Sequence, residues 1–328
     1  MPTEFRNCPE VTIVVCTGDR PGPLKRLLTS IEKQATSLSF EIIVVDNRPA
    51  AGATLPLWGL FDNVTWLEEP RQGISYARNA GIRVARAGTI VFADDDLDVP
   101  STWLEGIASP VVKGQFDVVL GPIRPLKMET EAERLFEMLG GHGFPAVAAE
   151  FDAQWLKAQR LLLPLWKVGG VGNAAIRRAI FFDPSIGLFE EALGAGTPAG
   201  SWEDLYFLYR CLRANMRVRR EPASAALHAH RETMGDLERQ LCSYRRGEVC
   251  FCILVLLRHG DFRAISHLCG HIPRWRLQLA AGEVARRWRG EKRFPFFLLG
   301  RECLAYLEGP WALAVSLRRA AALRDPVA

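Results

Sequence analysis

Short apolar runs alternate with amphipathic stretches over the first third of the chain. Val11 to Cys16 reads as a buried strand, and Thr17 to Pro23 as a turn rich in breakers. Pro23 opens a helix carrying Leu24, Leu27, Leu28 and Ile31 at helical spacing. Glu41 to Asp46 is a second buried strand ending in an acid, and Val64 to Leu67 a weaker third. Ile74 to Ala87 has the pattern of a helix with a basic side made by Arg78, Arg83 and Arg86. Thr89 to Ala93 is the fourth strand, a helix follows from Trp103, and Phe116 to Leu120 is the fifth strand. Strand and helix in alternation predict an α/β fold with a mostly parallel sheet and right-handed crossovers.

The pattern weakens from Gly121 to Arg160, where Glu129 to Leu139 looks helical and Gly140 to Gly143 reads as a mobile loop. Gly169 to Ala175 is glycine-rich, provides close backbone packing beside the Asn173 amide and precedes a short helix. Gly194 to Gly200 is a loop leading into a helix over Ser201 to Arg213, with Ser201 and Asp204 spaced as a capping box. Ala223 to Leu227 is a strand, and its alternation sets His228 and His230 on opposite faces. Beyond Asp236 long helical stretches carry arginine pairs beside aromatics.

A length of 328 residues allows one large domain or two, and 48% hydrophobic with 24% charged residues is ordinary for a globular protein. The net charge of +4 gives no case for nucleic acid as a partner. The charge is uneven: the segment from Asp236 onward is basic and the rest mildly acidic. Eight scattered cysteines form no CxxC pair, which argues against a zinc site and for a reducing cytoplasm, with Cys16 and Cys211 as buried thiols. No basic region followed by an apolar run opens the chain, so no signal peptide is expected. The apolar run Val249 to Leu257 is too short to span a bilayer.

The candidate chemistry gathers at strand ends. Ile90 to Ala93 stops in three carboxylates, Asp94, Asp95 and Asp96, whose mutual repulsion calls for a cation. Hard oxygen ligands suit Mg²⁺ or Mn²⁺ with a phosphate on the far side, while a solvated acidic turn is the plainer account. Thr17, Asp19 and Asp46 lie at neighbouring strand ends. Asp46 is suited either to the imide N–H of a uracil-like base or to an Asx turn; Arg78 is suited to phosphate or base, or to solvent. Neither a GxGxxG nor a GxxxxGK[ST] motif is present, so a nucleotide would be held by side chains and metal. Glu203 and Asp204 are the candidates for a general base, with a helix cap as the plain alternative for Asp204. One of His228 and His230 can complete a metal shell, whereas His142 alone makes no ligand site.

Seven stretches in order resemble the family 2 glycosyltransferases, inverting enzymes of GT-A fold. They are Val11 to Thr17, Ile43 to Asn47, Gly73 to Gly81, Phe92 to Asp96, Gly172-Asn173, Trp202 to Asp204 and His228 to Arg231. The resemblance implies a UDP-sugar or related donor, a divalent Mn²⁺ or Mg²⁺ ion, and transfer of a hexose to a glycan, lipid-linked or other hydroxyl acceptor, as in envelope polysaccharide synthesis. By motif it puts Thr17, Asp19, Asp46, Arg78, Asp94 and Asp95 on the nucleotide, Asp94, Asp96 and His228 on the metal, and Asp204, beside Glu203, as base. It implies a GT-A domain over residues 1–235, split into a nucleotide-sugar half (1–121) and an acceptor half (122–235), then a basic helical extension over 236–328. A nucleotidyltransferase and an inactive sugar-nucleotide-binding scaffold are the competing functions. For the extension, peripheral docking on the inner face of the plasma membrane, packing on the catalytic domain and homodimer formation are all open.

Overall fold

The computed structural model describes residues 8–61, 63–142, 147–290 and 294–323. Gly143, the last residue of the glycine-rich loop expected after Leu139, lies outside them. Eleven strands and ten α-helices are described. The first half contains β1 (Val11–Thr17), α1 (Pro21–Glu32), β2 (Phe40–Asp46), β3 (Val64–Glu68), α2 (Ile74–Val84), β4 (Thr89–Asp94), β5 (Leu97–Asp98) and α3 (Trp103–Val112). Next come β6 (Val118–Leu120), β7 (Ile123–Pro125), α4 (Glu131–Met138), β8 (Ala149–Phe151), α5 (Ala153–Ala158) and β9 (Asn173–Arg177). The chain continues with α6 (Glu203–Arg213), β10 (Val218–Arg220), β11 (Ala226–His228), α7 (Met234–His259), α8 (Arg263–Ser266), α9 (Ile272–Trp288) and α10 (Phe296–Ala322).

Eight strands form one mixed sheet in the order β3-β2-β1-β4-β9-β6-β10-β8. The pairs among β3, β2, β1 and β4 are all parallel, as the alternating pattern predicts. Beyond β4 the sheet is mixed, because β9 runs antiparallel to both β4 and β6. A small sheet of β5, β11 and β7 lies beside it. The strand period of two divides the core. Val11, Ile13 and Val15 face the Leu24, Leu27, Leu28 and Ile31 side of α1, whereas Val14 and Cys16 face the opposite core. Cys16 and Cys211 are both buried.

Several local expectations are corrected. Gly169 to Ala175 leads into strand β9 rather than directly into a helix, because Asn173 to Arg177 finds partners on both sides. Helix α2 stops at Val84, and its basic side dissolves: Arg78 is buried and Arg86 lies past the helix end, bound to Glu41. Ala223 belongs to a 3-10 turn, so the strand there is only Ala226 to His228. The capping box at Ser201 is not formed: Trp202 precedes α6 with φ of 72°, and the Ser201 hydroxyl donates to the Ser243 carbonyl of α7.

The helices after Asp236 pack onto this sheet. Cys250, Phe251, Cys252, Leu254 and Val255 of α7, with Leu313 of α10, complete the core that Val14 and Phe92 begin. Between these helices lies a buried polar cluster. Glu302 accepts from Arg245 and Arg276, while Glu248 accepts from Tyr306 and faces His267 Nε2 at 3.0 Å. His267 opens a π-helical turn through His271. Helices α7 and α10 approach closely at Gly309, where an added Cβ would stand 2.6 Å from the Val249 side chain. Gly309→Val should therefore cost about 1–3 kcal/mol through overpacking, read as a lower urea midpoint at an unchanged slope.

Candidate active site

Parallel pairing aligns the strand ends that carry polar groups. Thr17 is in register with Asp46, and Cys16 with Asp94. Just beyond β1, Asp19 takes a left-handed φ of 63° and is exposed, a conformation Asp tolerates better than most residues. The next residue, Arg20, reaches the acidic triple. Its guanidinium pairs with Asp95 and lies 2.6 Å from Asp96 Oδ2. Arg20 thus supplies a cation within the chain, and the sequence pattern gave no sign of it.

Asp95 is fully buried and also accepts from the Thr17 hydroxyl at 2.6 Å. Burial pushes its carboxyl up to about 7 against the pull of Arg20. Burial also opposes the ionised form of Asp96, but His228 and Arg20 win and hold it well below the usual carboxylate range. His228 Nε2 stands 3.3 Å from Asp96 Oδ1. Asp46 is buried, accepting from the Arg48 N–H and the Thr54 hydroxyl, so the Asx-turn geometry is present. Its neighbour Asn47 pins the loop ahead of α2 by bonding Glu69, Arg71 and Gly73.

Arg78 spans the two sides of the site. Its Nη1 donates to Glu203 Oε1 at 2.7 Å and its Nη2 to Asp94 Oδ1 at 3.3 Å. The guanidinium also lies 5.3 Å from the centre of the Phe189 ring. Burial disfavours this charge, yet Glu203 and Asp94 keep it firmly protonated. Asp94 is the open member of the triple, with 39% of its side chain exposed.

Residues 171 and 172 join the acidic triple to α6. The Gly172 carbonyl accepts from the Asp94 N–H, while the Val171 N–H donates to Asp204 Oδ2. A Cβ at Gly172 would fall 2.2 Å from Asp94 Oδ2, so only glycine permits this approach. Asn173, the amide picked out in the sequence, accepts from the Trp103 indole and donates to Pro122 and Ser224 carbonyls. Glu203 and Asp204 thus differ in surroundings. Burial, then the nearby Asp204 charge, push Glu203 up to about 7 despite Arg78. Burial also raises Asp204, which is tied to the Leu205 and Val171 N–H groups.

The histidines depart from the sequence reading. Strand β11 ends at His228, so alternation no longer governs His230, and the two rings meet with 2.8 Å between Nδ1 atoms. His142 joins them from the turn after α4, and the ligand atoms of all three lie within 4.8 Å of one another. The set aside of His142 as a lone residue is therefore corrected; long-range packing, invisible in spacing, brings it in.

A sheet whose acidic strand ends face a helix bearing a second acidic pair defines a class, and comparison with known proteins identifies it. The family model for "Glycosyl transferase family 2" matches residues 12–182, and the chain belongs to that family. The pre-mycofactocin glycosyltransferase of Mycobacterium tuberculosis is 25% identical over 233 residues, covering 69% of this chain and 44% of that relative. The chain thus spans less than half the length of that curated relative. The crystal structure of S. aureus TarS 1-349 superposes with a TM-score of 0.54 at 15% identity, covering 95% of this chain and 92% of that one. The same protein in complex with UDP-GlcNAc gives a TM-score of 0.54 at 17% identity, covering 80% and 73%. The fold is accordingly of the GT-A kind, with a C-terminal helical region.

The raised Glu203 carboxyl has a consequence for stability. Its folded value of about 7 exceeds its ordinary 4.5, so the native state binds more protons in that window. Its contribution to stability therefore falls as pH rises from 4.5 towards 7. Glu203→Gln removes that dependence. Urea titrations at about pH 5 and about pH 8 should show the variant gaining on the wild type at the higher pH.

Proposed function

We propose that this protein is an inverting glycosyltransferase that moves a hexose from a UDP-sugar to a hydroxyl acceptor. The observation that carries the reading is the two-residue bridge at Val171-Gly172, with Asp94 bound on one side and Asp204 on the other. It sets a carboxylate of the acidic triple close to a candidate base. The TarS complex with UDP-GlcNAc supports the choice of donor class.

Asp204 is the base in this scheme. Glu203 is engaged by Arg78, whereas among the described residues Asp204 bonds to backbone N–H groups and retains a carboxylate raised by burial, better suited to accept a proton. Asp204 takes the acceptor hydroxyl proton, and the oxygen displaces the nucleoside diphosphate in one step, inverting the anomeric carbon. Thr17, Asp19, Asp46, Arg78, Asp94 and Asp95 line the nucleotide side; Arg78 and Asp95 act there through the carboxylates and hydroxyl they hold.

The open Asp94 carboxylate and Asp96 fit a hard divalent ion, Mn²⁺ or Mg²⁺, since both offer oxygen donors, and the His228 imidazole stands behind Asp96 with its Nε2 at 3.3 Å from Oδ1. When bound, such an ion supplies Lewis-acid stabilisation of the leaving diphosphate. Asp204→Asn should retain donor binding, read as a thermal shift with UDP-GlcNAc and Mn²⁺, and lose ~10²-fold or more in kcat. Turnover at the wild-type rate would reduce Asp204 to a structural role. GDP- and dTDP-sugars in the same thermal-shift panel discriminate the base.

The helical extension fits a lipid-linked acceptor at the inner face of a membrane. No helix among the described residues is long and apolar enough to cross one. Trp288 is 89% exposed and Trp311 71%, and on α10 Phe297, Leu304, Leu307 and Trp311 recur at helical spacing along the exposed side. Basic residues beside exposed aromatics suit an anionic lipid surface. Co-sedimentation should be greater with anionic than neutral vesicles and fall with salt; association of copies through this face instead would appear as a dimer in sedimentation, with no vesicle preference.

A further inference from the structure

The histidine cluster is a separate matter from the oxygen-rich site. His228 and His230 turn their Nδ1 atoms towards each other at 2.8 Å. Their outer nitrogens are each met by a carboxylate. Glu137 Oε1 lies 2.7 Å from His230 Nε2, and Asp96 Oδ1 lies 3.3 Å from His228 Nε2. A carboxylate accepts, so each outer nitrogen carries an N–H, and in the neutral form of each ring Nδ1 then presents a lone pair inward. A carboxylate behind an imidazole is the usual support of a metal-ligating histidine, since it fixes both tautomer and ring orientation.

The third imidazole completes the set. His142 packs edge-on against His228, with 4.7 Å between ring centres, and its Nε2 is buried with no hydrogen-bond partner among the described residues. A buried nitrogen in that condition is costly unless something is bound to it. Phe136 closes the far side, edge-on to His142 and His230 at 5.2 and 4.9 Å. Tetrahedral zinc with bonds of 2.0–2.1 Å separates its nitrogens by about 3.3 Å. The 2.8 Å approach of the two Nδ1 atoms and the 4.8 Å limit on the whole set bracket that spacing, so small side-chain rotations suffice.

We propose that His142, His228 and His230 form a transition-metal site of the Zn²⁺ class, with Glu137 as its supporting carboxylate. Three imidazoles without an oxygen donor select a borderline ion over Mg²⁺ or Mn²⁺. Three protein ligands leave a fourth position for water or a ligand group. The ion ties the turn after α4 to the end of β11 and fixes the His228 ring against Asp96. It goes beyond the sugar-transfer proposal, and it is read without donor or acceptor, so the two fail separately.

The test is titration of chelator-treated full-length protein with Co²⁺, read as the visible d–d absorption of a tetrahedral nitrogen site, followed by displacement with Zn²⁺. The wild type should bind one such ion. Glu137→Gln should weaken binding about 10- to 100-fold, and His142→Ala at least as much. Asp94→Asn should retain the spectrum, because Asp94, the open member of the acidic triple, pairs with Arg78 rather than with an imidazole. Circular dichroism establishes that each variant is folded. No tetrahedral spectrum in the wild type, equal affinity in folded His142→Ala, or loss of the ion in folded Asp94→Asn would each overturn the proposal; the last would assign the ion to the acidic triple.

Discussion

One buried guanidinium organises the cleft. Arg78 sits at the interface between the sheet and α6, held between Asp94 and Glu203, and its charge is tolerable only because both carboxylates meet it. Removing one partner of a buried pair typically costs about 3–5 kcal/mol, since the other charge is left uncompensated. That constraint accounts for much of the surrounding design. Helix α2 must be seated accurately to deliver Arg78. Asn47 fixes the loop before it, the Ser75 hydroxyl donates to the Leu193 carbonyl, and Asn79 bonds Phe189. Gly81 then allows α2 to lie against Val14 of β1, where a Cβ would stand only 2.5 Å away. From α10, Arg319 donates to the Gly196 and Gln72 carbonyls, tying together the two loops that flank α2.

The parallel half of the sheet was legible because β1, β2 and β4 are largely apolar runs buried along most of their length, and β2 and β4 end in acids. Strands β6 to β11 were harder, since most are only three residues long and carry too few positions to display a period. The acids of the site were visible as residue types, but their partners were not. Arg20 lies 75 residues before Asp95, and nothing local distinguishes it from a surface arginine. The demand for a cation at the triple was sound electrostatics, and the chain meets it in part from its own turn. Alternation misplaced His230 for a simple reason: the rule holds only while the strand continues, and β11 stops two residues before it.

The helical extension illustrates a second physical theme. Its inner faces bury charge as well as hydrocarbon, with Glu302 shared by Arg245 and Arg276 and with Glu248 facing His267. Buried ionic clusters contribute little net stability compared with apolar packing. They do penalise misaligned packing, because a shifted helix would strand a charge. The π-helical turn at His267 to His271 sets the ring of His271 in a stack on Trp166, whose ring also meets Trp202 just before α6. A continuous aromatic path thus runs from the extension to the residue preceding Glu203 and Asp204.

The distribution of thiols has a practical chemical consequence. Cys16, Cys211, Cys242, Cys250 and Cys252 are buried, and burial pushes Cys16 and Cys250 up to about 12. At neutral pH their thiolate fraction is vanishing, and reagents have no access to them. Cys8, Cys269 and Cys303 are exposed. The last two lie on the helical extension and the first just ahead of β1. Alkylating dyes applied to the native protein would therefore decorate its periphery and leave the sheet interior untouched, giving distance probes on the extension without engineering a cysteine-free background.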